Sequence, residues 1–189
     1  MTTIVFAAHP DDETIGCGGT VAKLSKEEEV ISVIFSLGQS WPPWKEKSKV
    51  ISIRTKEARK ASRILGIKKQ YSLDLRDMKI LHDFDEYKKK ELKNIFKKHS
   101  PDKVFYHSEF DGHPDHLAVN SILKDFLKQI NYQGKEFKYE INLWNWFKYN
   151  PYYIFDITDT FERKMRAIKV FKSQWVWVKP LEYIMRAKA

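Results

Sequence analysis

"IVFAAHPDDETIGCGG", residues 4–19, opens as an apolar run, passes through an imidazole and three carboxylates, and closes in glycines. Ile4, Val5 and Phe6 have the β-branched and aromatic make-up of a buried strand, which the pattern extends over 3–8. Periodicity then changes to that of a helix over 15–28, and VISVIFSL at 30–37 is a second apolar strand. A buried strand that leaves through a charged loop into a helix, and is followed by another buried strand, is the opening unit of an α/β fold.

The alternation continues along the chain. Two prolines make SWPPW (40–44) a loop. Residues 46–65 follow with Ala58, Ala61 and Leu65 on one helical face and Gly66 as the stop. YSLDL (71–75) is a short strand, 84–99 a lysine-rich helix ending before Pro101, 103–108 a strand and 114–130 an amphipathic helix. Two aromatic strands are expected near 139–147 and 152–157. Asp159 with Glu162 predicts a capping box for a helix over 160–173, and the last dozen residues add a short helix. These lengths predict a three-layer α/β domain with a mostly parallel sheet, in which ligands bind beyond the carboxyl ends of the strands.

Composition bounds the rest. The chain of 189 residues has the size of one domain, 1–189, with 42% hydrophobic and 31% charged residues and no apolar run of bilayer length. The N-terminus lacks the basic region and long apolar stretch of a secretory signal, so a cytoplasmic protein is expected. A single cysteine, Cys17, excludes an intramolecular disulfide and reads as a small packed residue. The net charge of +9 is spread over lysines such as Lys88-Lys89-Lys90 and Lys97-Lys98. Scattered lysine at helical spacing reads as solvated helix faces rather than a nucleic-acid footprint, though a field of this sign favours an anionic substrate.

A second acidic-histidine cluster, EFDGHPDH (109–116), follows the strand at 103–108 as the first follows the strand at 3–8, so both reach the same rim of the sheet. Together they supply His9, Asp11, Asp12, Glu13, Asp111, His113, Asp115 and His116. Taken singly, each loop also reads as helix caps and turns, since Asp is common at both. Taken together on one rim, they read as a metal site. Two imidazoles and a carboxylate leave coordination positions for water and substrate, as in catalytic sites, and His9 and Asp12 converge if the chain turns at Pro10.

AHPDDE (8–13), followed about a hundred residues later by GHPDH (112–116), resembles the signature of the PIG-L/LmbE-like family of metal-dependent N-deacetylases. The likeness extends to Arg54-Thr-Lys-Glu57-Ala58 with Leu65-Gly66, to Asp77, and to Ser173-Gln174. It implies a Rossmann-like fold, hydrolysis of the N-acetyl group of an N-acetylglucosamine-type sugar, and zinc, with iron(II) compatible with the same donors. By this resemblance His9, Asp12 and His116 hold the metal and Asp11 is the general base. His113, oriented by Asp115, stabilises the oxyanion or protonates the leaving amine. Arg54 and Asp77 contact the substrate's hydroxyls or phosphate.

The glycines of GCGG lack the dinucleotide-binding spacing and are read as tight-turn residues. Arg54 also reads as a surface arginine paired with Glu57. Tryptophans in SWPPW and LWNWF (143–147) read first as core and second as platforms for sugar rings. The alternation of Trp175, Val176, Trp177 and Val178 reads as a patch for a covering surface, a homo-oligomer contact being one candidate. A metal-dependent phosphoesterase and a non-catalytic binder of anionic polymer are the rival functions. The expected partner is an N-acetylated amino sugar, free or phosphorylated, nucleotide-linked or lipid-linked.

Overall fold

The computed structural model describes residues 1–141 and 153–187, without the side chains of Trp177 and Ala187. Five parallel strands, β1 (Thr2–Ala7), β2 (Glu29–Ser36), β3 (Lys69–Leu75), β4 (Lys103–His107) and β5 (Lys135–Tyr139), form one sheet in the order β3-β2-β1-β4-β5. Its helices are α1 (Asp12–Leu24), α2 (Lys47–Leu65), the short α3 (Ile80–Asp83), α4 (Glu86–His99), α5 (Pro114–Gln129), α6 (Phe161–Ile168) and α7 (Trp175–Ala187).

Alternation along β1 divides the core into two layers. Ile4, Phe6 and Ala8 face a cluster with Leu92 and Phe96 of α4 and Val119 and Leu123 of α5. Val5 and Ala7 face the other, with Val21 of α1, Ala58, Ala61 and Leu65 of α2, and Met165 and Ile168 of α6. Both faces of the central strands are therefore covered, which is why they carry continuous apolar runs. No helix among the described residues is long and apolar enough to cross a membrane.

Most expected elements are present, with Gly66 capping α2 in the left-handed region at φ 83°. Three expectations are corrected. Residues 153–157 form no strand; Tyr153 and Phe155 instead pack their rings on Phe137 of β5, at centroid distances of 5.3 and 5.6 Å. The capping box is absent, because Asp159 pairs with Lys26 across the fold and Thr160 is the N-cap of a shorter helix. Trp175 begins α7, earlier than the short helix expected in the last dozen residues; Trp175 and Val176 are exposed and Val178 is buried. LWNWF, most of the expected strand at 139–147 and the Trp177 side chain lie outside the described residues.

Gly16 serves close packing rather than a tight turn. A Cβ there would lie 2.3 Å from Cδ2 of Tyr139, so the missing side chain lets the Tyr139 ring lie against α1. The helix departs from α geometry at Cys17 (φ −129°, ψ 19°).

Candidate metal centre

β1 and β4 are neighbours, and the chain winds from them in opposite directions across the sheet. That reversal opens a crevice at their carboxyl ends, the usual ligand position in such sheets. His9 lies two residues beyond β1 and Asp12 opens α1; His107 closes β4; His113 caps α5 and His116 sits in its first turn. The ring centroids of His9 and His116, 107 positions apart in the chain, are separated by 5.5 Å.

Asp12 is the hub. Its Oδ2 accepts the His9 backbone N–H at 2.7 Å and lies 3.5 Å from His9 Nδ1, 3.4 Å from His116 Nε2 and 3.2 Å from His107 Nε2. The second nitrogen of His9, Nε2, faces Asp115 Oδ2 at 3.1 Å and Asp77 Oδ1 at 3.4 Å. Those carboxylates are themselves held: Met78 N–H donates to Asp115 at 2.8 Å, and Ser36 Oγ and Ser40 N–H donate to Asp77 at 2.7 and 2.9 Å. His116 is held from behind by Asp111 Oδ1, 2.9 Å from its Nδ1. Beside the hub, Arg54 donates to Asp11 Oδ1 at 2.9 Å and to Gly38 O at 3.0 Å. This pair is enclosed, with Arg54 4% and Asp11 8% exposed.

Burial works against every charge in this cluster, and the local partners decide which charges persist. For Asp12, desolvation is outweighed by the His116 and His9 charges, which hold its carboxyl well below the usual range. Burial also opposes protonation of His9, but Asp12 and the bonds from Asp115, Asp12 and Asp77 raise it well above an ordinary histidine. By the same balance Asp12 and Asp111 raise His116 to about 9. His107 goes the other way, pushed by burial to about 4. Burial, followed by the His9 and His116 charges, lowers His113. Glu13 is buried and, with Asp12 and Asp11 adding repulsion, is raised well above the carboxylate range. Positive charge is thus favoured at His9 and His116, the two imidazoles whose partners outweigh burial.

Three sets of donors each bring their atoms within 4.8 Å of one another: His9/His113/His116, Asp12/His107/His116 and His9/Asp77/Asp115. Mixed imidazole and carboxylate donors suit zinc or iron(II) rather than a hard cation such as calcium. The residues present therefore fit a divalent transition metal.

The structure brings the two histidine loops together, and Asp115, Asp77 and Arg54 have partners there that the sequence did not indicate. The Asp115 carboxylate turns to His9; toward His113 it is the Asp115 backbone N–H that donates, to Nδ1 at 3.2 Å. Asp77 is part of the cage around His9. Arg54 is buried against Asp11, while Glu57 accepts from Ser173 N–H at 2.9 Å. Two site residues were given no role by the sequence reading, Asp111 and His107. The signal for His107 was its place at the end of the strand that delivers the second cluster.

The family model described as PIG-L: GlcNAc-PI de-N-acetylase matches residues 4–127. Diacetylchitobiose deacetylase of Thermococcus kodakarensis is 28% identical over 187 residues, covering 89% of this chain and 69% of that protein. A probable N-acetyl-alpha-D-glucosaminyl L-malate deacetylase 2 of Bacillus anthracis is 27% identical over 134 residues, 67% of this chain. The match spans 59% of that protein, less than two thirds of its length. Among solved structures, N,N'-diacetylchitobiose deacetylase from Pyrococcus horikoshii superimposes with a TM-score of 0.78 at 28% identity, covering 97% of this chain and 76% of that one. GalB, the 4-carboxy-2-hydroxymuconate hydratase of Pseudomonas putida, reaches 0.83 at 19% identity over 97% of this chain and 83% of its own. The same architecture thus carries a hydratase as well as deacetylases, and the reaction must be argued from the site.

Proposed function

Because this chain belongs to the PIG-L family of de-N-acetylases, we propose that it is a zinc-dependent amide hydrolase. Its substrate is an N-acetylglucosamine-type sugar or sugar conjugate, from which it removes the acetyl group, and it works in the cytoplasm as one domain. The observation that carries this reading is Asp12 Oδ2, 3.5 Å from His9 Nδ1 and 3.4 Å from His116 Nε2, with the Asp11–Arg54 pair alongside. His9, Asp12 and His116 would hold the ion. When bound, it supplies a Lewis acid for the acetamide carbonyl and lowers the pKa of water toward neutrality.

The chain's own groups divide the proton work. Asp11 takes a proton from the attacking water, and Arg54 fixes the carboxyl by bonding Oδ1. His113 Nδ1 accepts the Asp115 N–H, which places the ring proton of the neutral imidazole on Nε2. A neutral Nε2–H is a donor suited to the developing oxyanion. Giving that proton up entirely would leave an imidazolate, so the leaving amine takes its proton from Asp11. The C–N bond breaks, and acetate and the free amine leave. Asp77 and Asp115 orient His9 through its second nitrogen, an arrangement of carboxylate, histidine and metal that raises ligand basicity.

The test is metal analysis of the purified protein, followed by acetate release from N-acetylglucosamine, diacetylchitobiose and nucleotide-linked N-acetylglucosamine with and without chelator. Acetate that disappears with the metal and returns with zinc is expected. Cleavage of the nucleotide-linked substrate to a nucleotide and a sugar phosphate without acetate would support a phosphoesterase instead, and loss of neither product on chelation would refute the metal reading.

A further inference from the structure

His107 ends β4 in complete burial, after Val104, Phe105 and Tyr106. An apolar ring would fill this position without any nitrogen to satisfy, yet the sequence places an imidazole there. Its Nδ1 is buried with no hydrogen-bond partner among the described residues. A polar group buried with incomplete bonding destabilises the fold, so the reason for it lies in what its other atoms do.

Those atoms meet two of the ligands assigned above. Nε2 accepts the Ala8 N–H at 3.1 Å, one residue before His9, and lies 3.2 Å from Asp12 Oδ2. Tyr139 OH, 3.3 Å away, gives its own proton to Phe6 O at 2.7 Å. The face of the ring stacks on His116, centroids 4.0 Å apart and planes 9° from parallel. The backbone beneath is pinned, as Asn120 Nδ2 donates to His107 O at 2.7 Å. The His107 face fixes the tilt of His116, whose Nε2 lies 3.4 Å from Asp12 Oδ2.

We propose that His107 is a positioning residue of the metal centre, its Nε2 holding the Ala8 backbone next to His9 and its face setting the plane of His116. It is not a fourth ligand. Its Nε2 lone pair is taken by the Ala8 N–H. The inference rests on the reading of His9, Asp12 and His116 as the ligand set.

The experiment measures zinc affinity by competition with a chromophoric chelator, and the visible d–d bands after cobalt(II) substitution, for the parent and for His107→Phe, His107→Gln and His107→Asn. Phe keeps the stacked ring and removes both nitrogens; Gln carries an amide oxygen, an acceptor for the Ala8 N–H, to about the reach of Nε2, and Asn falls short of it. Supporting contacts behind metal ligands are typically worth 10–100-fold in affinity, and a loss on the order of tenfold or more is expected for Phe, with altered cobalt bands. Gln should bind more tightly than Asn. A Phe variant that melts like the parent in chelator, binds zinc with the parent's affinity and shows the parent's cobalt spectrum overturns the proposal. Should the Phe variant not fold, equal affinities for Gln and Asn overturn it. A parent that takes up no divalent ion sinks the metal reading itself and this proposal with it, whereas a parent that binds while the variants bind equally sinks only the role of His107.

Discussion

Replacing Arg54 with Met would strand a carboxylate. Met keeps most of the length and apolar volume of the side chain but deletes the guanidinium that bonds Asp11 at 2.9 Å and Gly38 O at 3.0 Å. Asp11 is only 8% exposed, beside Asp12 and Glu13, so solvent replaces little of the lost counter-charge. Removing one partner of an enclosed ion pair typically costs about 3–5 kcal/mol. At roughly 2–4 °C per kcal/mol for a domain of this size, the melting temperature of chelator-treated protein should fall by about 6–20 °C. Asp11→Asn leaves the arginine without its full partner and should also destabilise. The double variant removes both halves, so its loss should be smaller than the sum of the single losses by about 1–3 kcal/mol. Urea unfolding of all four proteins, followed by tryptophan fluorescence, completes the cycle. Acetate release should vanish in both proteins carrying Asp11→Asn, independently of the stability recovered. Strict additivity would refute the reasoning, since it would mean that Arg54 does not hold the proposed base.

Four further outcomes are expected. Zinc at about a hundred times its dissociation constant should stabilise the protein by about 2.7 kcal/mol over the chelated form; equal melting curves with and without metal would count against a preformed site. Gly16→Ala should cost about 1–3 kcal/mol by urea titration, because its Cβ would lie 2.3 Å from the Tyr139 ring. Leu65→Ala, at a fully buried position of α2, should cost about 2–5 kcal/mol with no change in the KM of the folded enzyme. Asp83 is held well below its ordinary 3.8 by Arg76 and then His82, so its stabilising effect is whole at neutral pH and fades as the pH falls below 3.8. Thermal melts of Asp83→Asn should lie slightly below the parent at neutral pH, and the gap should narrow in acid and in salt.

Elements whose cause is local were readable from the chain. The β1 run, the apolar face of α2 with its Gly66 stop, and the proline-bounded ends of α4 and α5 each follow from side-chain shape and periodicity over a few residues. So did the convergence of the two histidine loops, since strand ends in a parallel sheet share one rim. What stayed hidden depends on distant partners. The Asp159 carboxylate is drawn to Lys26, more than a hundred residues earlier, and no local pattern announces that competitor of the capping box. Residues 153–157 have strand composition, but the rings of Tyr153 and Phe155 settle on Phe137 instead of joining a ladder. Asp115 follows its neighbour's backbone in sequence yet gives its carboxylate to His9, because Met78 N–H holds it there. His107 looked like one more strand residue, and only the stacking on His116 shows its second use.

The two outermost strands among the described residues also bear on how copies of this chain can meet. β5 carries Lys135, Glu136 and Lys138, and β3 carries Lys69 and has a register break against β2 between Ile34 and Ser36. Charged residues and irregularities on flanking strands discourage the growth of a sheet from molecule to molecule. Lateral β-addition at these two edges is therefore disfavoured.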